Sequence, residues 1–191
     1  TNLPVTVKTR LGWDENTKYI VDVAERLQDV GIQALSIHGR TRKQMYKGEA
    51  DWTLIGDVKN NQRMHIPIFG NGDISTVENV VEVKNKYGID GVMIGRAAIG
   101  NPWIFNEIKH FLKTGNHLAR PVIADRVDAC KKHLEHSIEW KGKILGIAEM
   151  KRHYSNYFKG IPHFKDYRIK IITSECTDKI FELLDEIKLK F

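Results

Sequence analysis

The chain has 191 residues, 41% of them hydrophobic and 28% charged, enough for one core of fair size or two small ones. Its net charge of +6 is uneven: residues 1–102 hold 13 Lys+Arg against 12 Asp+Glu, while residues 103–191 hold 17 against 12 and six of the eight histidines. No apolar stretch is long enough to span a bilayer and no signal peptide opens the sequence, which sets membrane classes aside. Two widely spaced cysteines, Cys130 and Cys176, argue against a disulfide framework and for a reducing compartment, the cytoplasm.

The chain begins with Thr1, not Met, and runs almost at once into a strand, so it reads as a piece of a longer protein. Pro4–Thr9 alternates with β-branched residues, as a strand does. Asn16 or Thr17 then caps a helix with Ile20, Val23, Ala24, Leu27 and Val30 on one face, closed by Gly31. Strand Ala34–His38 follows, then a loop, Gly39–Asp51, rich in Arg and Lys, and a short helix around Trp52, Ile55 and Val58. Strand Ile66–Gly70 leads to Ser75-Thr76-Val77-Glu78, a capping-box spacing, and a helix that runs to Lys86 and ends at Gly88. Strand Gly91–Ile94 ends in Gly95-Arg96, and Asn101-Pro102 opens a further helix through Trp103, Ile104, Ile108, Phe111 and Leu112.

Strand and helix thus alternate four times, at the spacing of βα units on a parallel sheet. The glycines of "IPIFGNGDIS" precede a capped helix and no second strand, so they belong to a βα loop and not to a hairpin. Such loops lie at the carboxyl ends of parallel strands, where ligands bind. Each predicted strand ends in polar or glycyl residues: Lys8 and Arg10, then His38 and Arg40, then Asn71 and Asp73, then Gly95 and Arg96. Singly, each has a plain structural explanation: Lys8 could reach solvent, and His38 could be a satisfied core histidine. Together they point to one anionic ligand, with bare glycine backbone and helix N-termini available to a phosphate.

The segments "VTVKTRLGW", "IHGRTRKQMYKGEADW", "IPIFGNGDI" and "GVMIGRAAIGNPWIF" resemble the flavin-dependent tRNA-dihydrouridine synthases, most closely the bacterial B-type enzymes. The resemblance covers nearly the whole chain. It implies an α/β fold: the second half of a (β/α)8 TIM barrel, four βα units over residues 1–115, followed by an all-α helical domain over residues 116–191. It implies FMN at the barrel mouth and NADPH as reductant, in an enzyme that reduces the C5=C6 bond of tRNA uridines. Lys8, His38, Asn71, Gly72, Asp73, Gly95 and Arg96 fall on the family's FMN-binding positions. Lys8 would lie near the isoalloxazine ring, where a cation favours the anionic reduced flavin, and the glycine loops with Arg96 would take the FMN phosphate. Arg10, Arg40 and Arg42 are placed toward the tRNA substrate, with the flavin as the other option for Arg10 and Arg40. No residue is assigned to a metal.

The tail, "RPVIADRVDACKKHLEHSIEWKGKILGIAEMKRHYSNYFKGIPHFKDYRIKIITSECTDKIFELLDEI", reads as three or four amphipathic helices. It resembles the family's tRNA-gripping helical domain. Lys151, Arg152, His153, Lys159 and Arg168 are candidates for phosphate contacts, and Tyr154 and Tyr157 for packing or stacking. A uridine must leave its stack to reach a flavin, so a domain that holds the RNA is physically reasonable.

The chain also departs from the family pattern. A closed barrel of this class needs about eight strands. The family's general-acid cysteine follows the strand before the one ending at Lys8 and therefore lies upstream; Cys130 and Cys176 are read as ordinary core residues. By this reading the fragment alone lacks reductase activity. Its open strand edges lead it to self-associate or aggregate, whereas the parent enzyme is a monomer. Two other readings stand beside this one. One is an RNA-binding module on a degenerate flavin barrel without redox activity. The other is a different FMN barrel, such as a dihydroorotate dehydrogenase relative, against which the basic tail and the "HGRTR" loop speak.

Overall fold

The computed structural model describes residues 2–191. The chain divides into two compact units, Thr1–Ala97 with Phe111–Thr114, and Ala98–His110 with Gly115–Phe191.

In the first unit, β1 (Thr6–Arg10), β2 (Ala34–His38), β3 (Ile68–Asn71) and β4 (Gly91–Met93) form one parallel sheet in sequence order. They alternate with α1 (Ile20–Asp29), α2 (Thr53–Asn60) and α3 (Val77–Tyr87). Neighbouring parallel strands joined by helical crossovers are consistent with part of a (β/α)8 barrel. Successive side chains of a strand point to opposite faces. Leu35, Ile37 and Ile68 are fully buried on one face, and their core continues through Ile20, Ala24, Ile55, Val58, Val77 and Val80 of the helices. The other face carries Thr6, Lys8, Ser36 and Phe69, all partly or fully exposed.

Local chemistry sets the element ends, with some shifts from the sequence expectations. β1 begins at Thr6, because Pro4 and the residue before it stand outside the ladder. β3 likewise starts after Pro67. Thr76, not Ser75, caps α3: its side chain accepts the Asn79 N–H, and Gly88 closes the helix at φ 66°. The polar stretch before α1 forms a short 3-10 turn, Glu15–Thr17, boxed by Asp14, and α1 itself starts at Ile20. Val23 and Val30, expected on its buried face, are 39% and 78% exposed, whereas Ile20 and Ala24 are sealed.

The second unit contains α5 (Ile123–Lys141), α6 (Lys143–Tyr157), α7 (Lys165–Thr173) and α8 (Thr177–Lys190), preceded by the start of α4 (Ile104–Thr114). Its core joins Val127, Cys130 and Leu134 of α5 to Ile147, Met150 and Tyr154 of α6 and to Ile180, Leu184 and Ile187 of α8. Gly146 lets α6 approach α5 closely, since a Cβ there would lie 2.8 Å from the Ile138 backbone. Tyr154 and Tyr157 are core residues, not stacking surfaces. Cys176 corrects the expectation of a core cysteine: it is exposed at the N-cap of α8, outside the helix's apolar stripe, while Cys130 is buried as expected. No described helix is long and apolar enough to cross a membrane.

Candidate functional site

Because the sheet is parallel, the carboxyl ends of all four strands lie together. The ladder sets Arg10 opposite His38, His38 opposite Asn71, and Asn71 opposite Met93, one row across the sheet. Two residues earlier, Lys8 shares a row with Ser36, Phe69 and Gly91 and points to the same face. These ends border a cleft of about 620 Å³ lined by Lys8, Arg10, His38, Asn71, Asp73 and Arg96, with Gly72, Gly95 and Tyr46 also on its wall. The residues singled out at the four strand ends, Arg40 apart, therefore share one cavity.

The glycines divide by role. Gly70 is a packing position: a Cβ there would sit 2.0 Å from the Trp52 indole, which crosses this strand end and donates Nε1–H to the Gly72 carbonyl at 3.2 Å. Gly72 combines φ +132° with close contact to Ala50 and His38. At Gly95 a Cβ would meet nothing within 4 Å, so its backbone alone is bare toward open space.

The polar side chains are not equally available to a ligand. Asn71 donates Nδ2–H to the Met93 carbonyl at 2.7 Å, which ties β3 to β4 and turns its own carbonyl oxygen into the remaining acceptor. Arg10 donates from Nη1 to the carbonyls of Thr41 and Met45, both at 3.0 Å, and so holds the loop 39–51. Asp73, with φ 51°, is a clasp: Oδ2 accepts from Arg40 at 2.6 Å and from the Ala50 N–H at 2.8 Å, and Oδ1 accepts from Arg96 at 3.0 Å. Burial pushes its carboxyl up, but Arg40, the Ala50 N–H and Arg96 outweigh this and hold it below the usual carboxylate range. Arg96 is otherwise exposed, its guanidinium 4.9 Å from the Tyr46 ring centroid, with Arg10 at 5.9 Å from the same ring.

Arg40, expected toward the tRNA or the flavin, is 2% exposed, and its guanidinium is engaged by Asp73, by the carbonyls of Lys47 and Gly48, and by His38. Arg42, by contrast, is exposed. Tyr46 is the wall residue the sequence reading missed; only its place in the loop between His38 and Asp51, both near a strand end, could have pointed to it.

Charge in the cleft is cationic: Lys8, Arg10 and Arg96 against the single, already paired carboxylate of Asp73. Partial burial, then the Arg10 charge, lowers the Lys8 ammonium from its ordinary value. Burial, then Arg10, Lys8 and Arg40, lowers the His38 imidazole to about 4, so it is neutral at pH 7. This donor set suits an anionic oxygen ligand such as a phosphate ester, with Asn71 and neutral His38 able to orient carbonyl or amide groups. Neither cysteine lines the cleft, and among the described residues no three His, Cys, Asp or Glu side chains are grouped to hold a metal ion.

Of the tail candidates, Arg152 and His153 border a second cleft, about 820 Å³, between α5 and α6, together with His133, Trp140 and Lys141. Arg152 lies 3.6 Å from Glu149, which also pairs with Lys141. Lys159 and Arg168 are exposed elsewhere on the helical unit, and Lys151 is half-buried.

Comparison with known proteins adds an independent line. The family model described as dihydrouridine synthase matches residues 1–189. The chain is 40% identical over 166 residues to a probable tRNA-dihydrouridine synthase of Rickettsia conorii, covering 87% of this chain and 50% of the relative. It is also 40% identical over 176 residues to tRNA-dihydrouridine synthase B of Pseudomonas putida, covering 92% of this chain and 52% of that protein. A probable tRNA-dihydrouridine synthase of Synechocystis is 40% identical over 185 residues, 97% of this chain and 51% of the relative. The chain spans about half the length of the curated relatives it matches.

Proposed function

This chain belongs to the dihydrouridine synthase family, and from that premise we propose that it is the C-terminal half of an FMN-dependent oxidoreductase that reduces tRNA uridines with NADPH in the cytoplasm. The observation that carries the reading is the single cationic cleft at the strand ends, formed by residues that lie far apart in sequence.

In this reading FMN is held by Lys8, Asn71, His38, Gly95 and Arg96. Bound there, the flavin would supply the hydride-donating redox centre that no protein side chain provides. The chain's own residues do the electrostatic and positioning work. Arg96 and the open Gly95 backbone meet the phosphate, where Asp73 on one side and Tyr46 on the other restrain the guanidinium. Lys8, with its ammonium already disfavoured by burial and by Arg10, gains most from a neighbouring anion or electron-rich carbonyl. Asn71 is locked by Met93 and so presents a fixed amide oxygen to a ring N–H. Asp73 acts through Arg40 and Arg96, not by touching the ligand.

The basic helical unit and the exposed Arg42 would contact the tRNA backbone, with Arg152, Lys159 and Arg168 as further phosphate contacts. In this reading no side chain of the described cleft is assigned to the proton that completes reduction at C5. The test is dihydrouridine formation on unmodified tRNA by the full-length protein with FMN and NADPH. Product that disappears in Lys8→Ala supports the reading; an absence of product with any tRNA substrate overturns it.

A further inference from the structure

We propose that Arg40 is a positioning residue that fixes the tautomer of His38, so that the imidazole offers Nδ1–H to an oxygen acceptor of the ligand in the strand-end cleft. A guanidinium donates and never accepts. Arg40 Nη1 lies 3.4 Å from His38 Nε2, so Nε2 must present its lone pair there and the ring proton must reside on Nδ1.

Arg40 cannot swing away from this position. It is 2% exposed, with Nη2 donating to Asp73 at 2.6 Å and to the Gly48 carbonyl at 2.5 Å, and Nε donating to the Lys47 carbonyl at 3.3 Å. The imidazole is equally fixed. Its Cδ2–Nε2 edge packs on Gly72, where a Cβ would come within 3.3 Å of Cδ2. The opposite edge is different. The buried side-chain polar atoms without a partner, among the described residues, are His153 Nδ1 and Tyr154 Oη; His38 Nδ1 is neither sealed in that way nor bonded. His38 lines the strand-end cleft, and this unbonded nitrogen is assigned to the ligand there.

The charged and titratable groups around the ring favour this state. Lys8 and Arg10 face it from β1, Arg40 and Tyr46 from the loop after β2, and Asp73 from the loop after β3. Burial first, then three cations against one carboxylate, keep the imidazole neutral, and a neutral imidazole is the only form with a tautomer to select. The more familiar device is a carboxylate that accepts from Nδ1–H and frees Nε2. Here a buried cation donates to Nε2 and frees Nδ1–H, giving a donor where an unrestrained histidine would present either role. The acceptor is a phosphoryl or carbonyl oxygen.

The ligand's identity rests on the reading above; the tautomer does not. Long-range ¹H–¹⁵N correlation on the labelled full-length protein, without FMN at pH 7, should show His38 protonated at Nδ1 and bare at Nε2. It should hold that state as pH falls until about 4. Arg40→Lys keeps a cation but loses the fork to Asp73, and should give a mixture of tautomers together with a roughly tenfold loss of FMN affinity in the full-length protein. An Nε2–H tautomer in the unmodified chain, or an unchanged tautomer in Arg40→Lys, overturns the proposal. If the full-length protein fails to bind FMN while the Nδ1–H tautomer is observed, the functional reading falls and the positioning role stands.

Discussion

Arg40 and Asp73 form a bond of 2.6 Å between a sealed guanidinium and a carboxylate that also reaches the exposed Arg96. The pair links the loop after β2 to the loop after β3. Removing one partner of such a pair leaves the other charged and unsatisfied. Asp73→Ala should therefore lower stability by about 2–3 kcal/mol, less than for a fully buried pair because Asp73 is itself half-exposed. Chemical denaturation measures this, and a variant as stable as the parent sequence would show that the pair holds nothing.

The two glycine classes predict opposite outcomes. Gly70→Ala forces a methyl into the Trp52 ring and should cost about 1–3 kcal/mol or more. Gly95→Ala meets open space and should leave the melting temperature unchanged while weakening phosphate-ester binding. Equal melting temperatures for the two variants would contradict this division.

In the helical unit Tyr154 is fully buried and its hydroxyl has no partner. Tyr154→Phe removes an unsatisfied donor and keeps the packing, so the variant should be more stable by about 1 kcal/mol. A fall in melting temperature would mean that the hydroxyl is satisfied in solution.

Acid should destabilise the first unit through His38. Its folded value of about 4 lies below the unfolded value near 6.5, so the unfolded chain binds more protons between these limits. Stability is then complete above about pH 6.5 and declines as pH falls toward 4, by at most about 3 kcal/mol. His38→Gln should flatten that part of the denaturation profile; an unaltered slope would assign the loss to other groups.

Much of this fold is legible in the sequence. β2 spans Ala34–His38, the bounds expected from the sequence, and Gly88 ends α3 where a left-handed residue is required. The cap of α3 slipped by one residue because Ser75 and Thr76 are chemically equivalent there, and only the Asn79 N–H decides between them. The buried stripe of α1 is narrower than its periodicity predicts: the spacing places Val23 and Val30 near the buried face, but what covers that face is not written in the helix. The cleft itself followed from one rule, that parallel strand ends converge. The burial of Arg40 did not, because Arg10 at the end of β1 and Arg40 and Arg42 within "HGRTR" share the same chemistry. Which one is swallowed depends on a 13-residue loop folding back, with the Asp51 N–H donating to the Gly39 carbonyl at 2.6 Å. Cys176 was misplaced for a similar reason, since a helix start and a helix stripe look alike in a short polar run.

The most direct test of the central claim, that the strand-end residues form one flavin site, is the visible absorbance of the full-length protein after purification. The account predicts a yellow protein with one FMN, whose colour is lost in Lys8→Ala and in Asn71→Ala while both variants stay folded. A colourless full-length protein, or variants that keep their flavin undiminished, would contradict it.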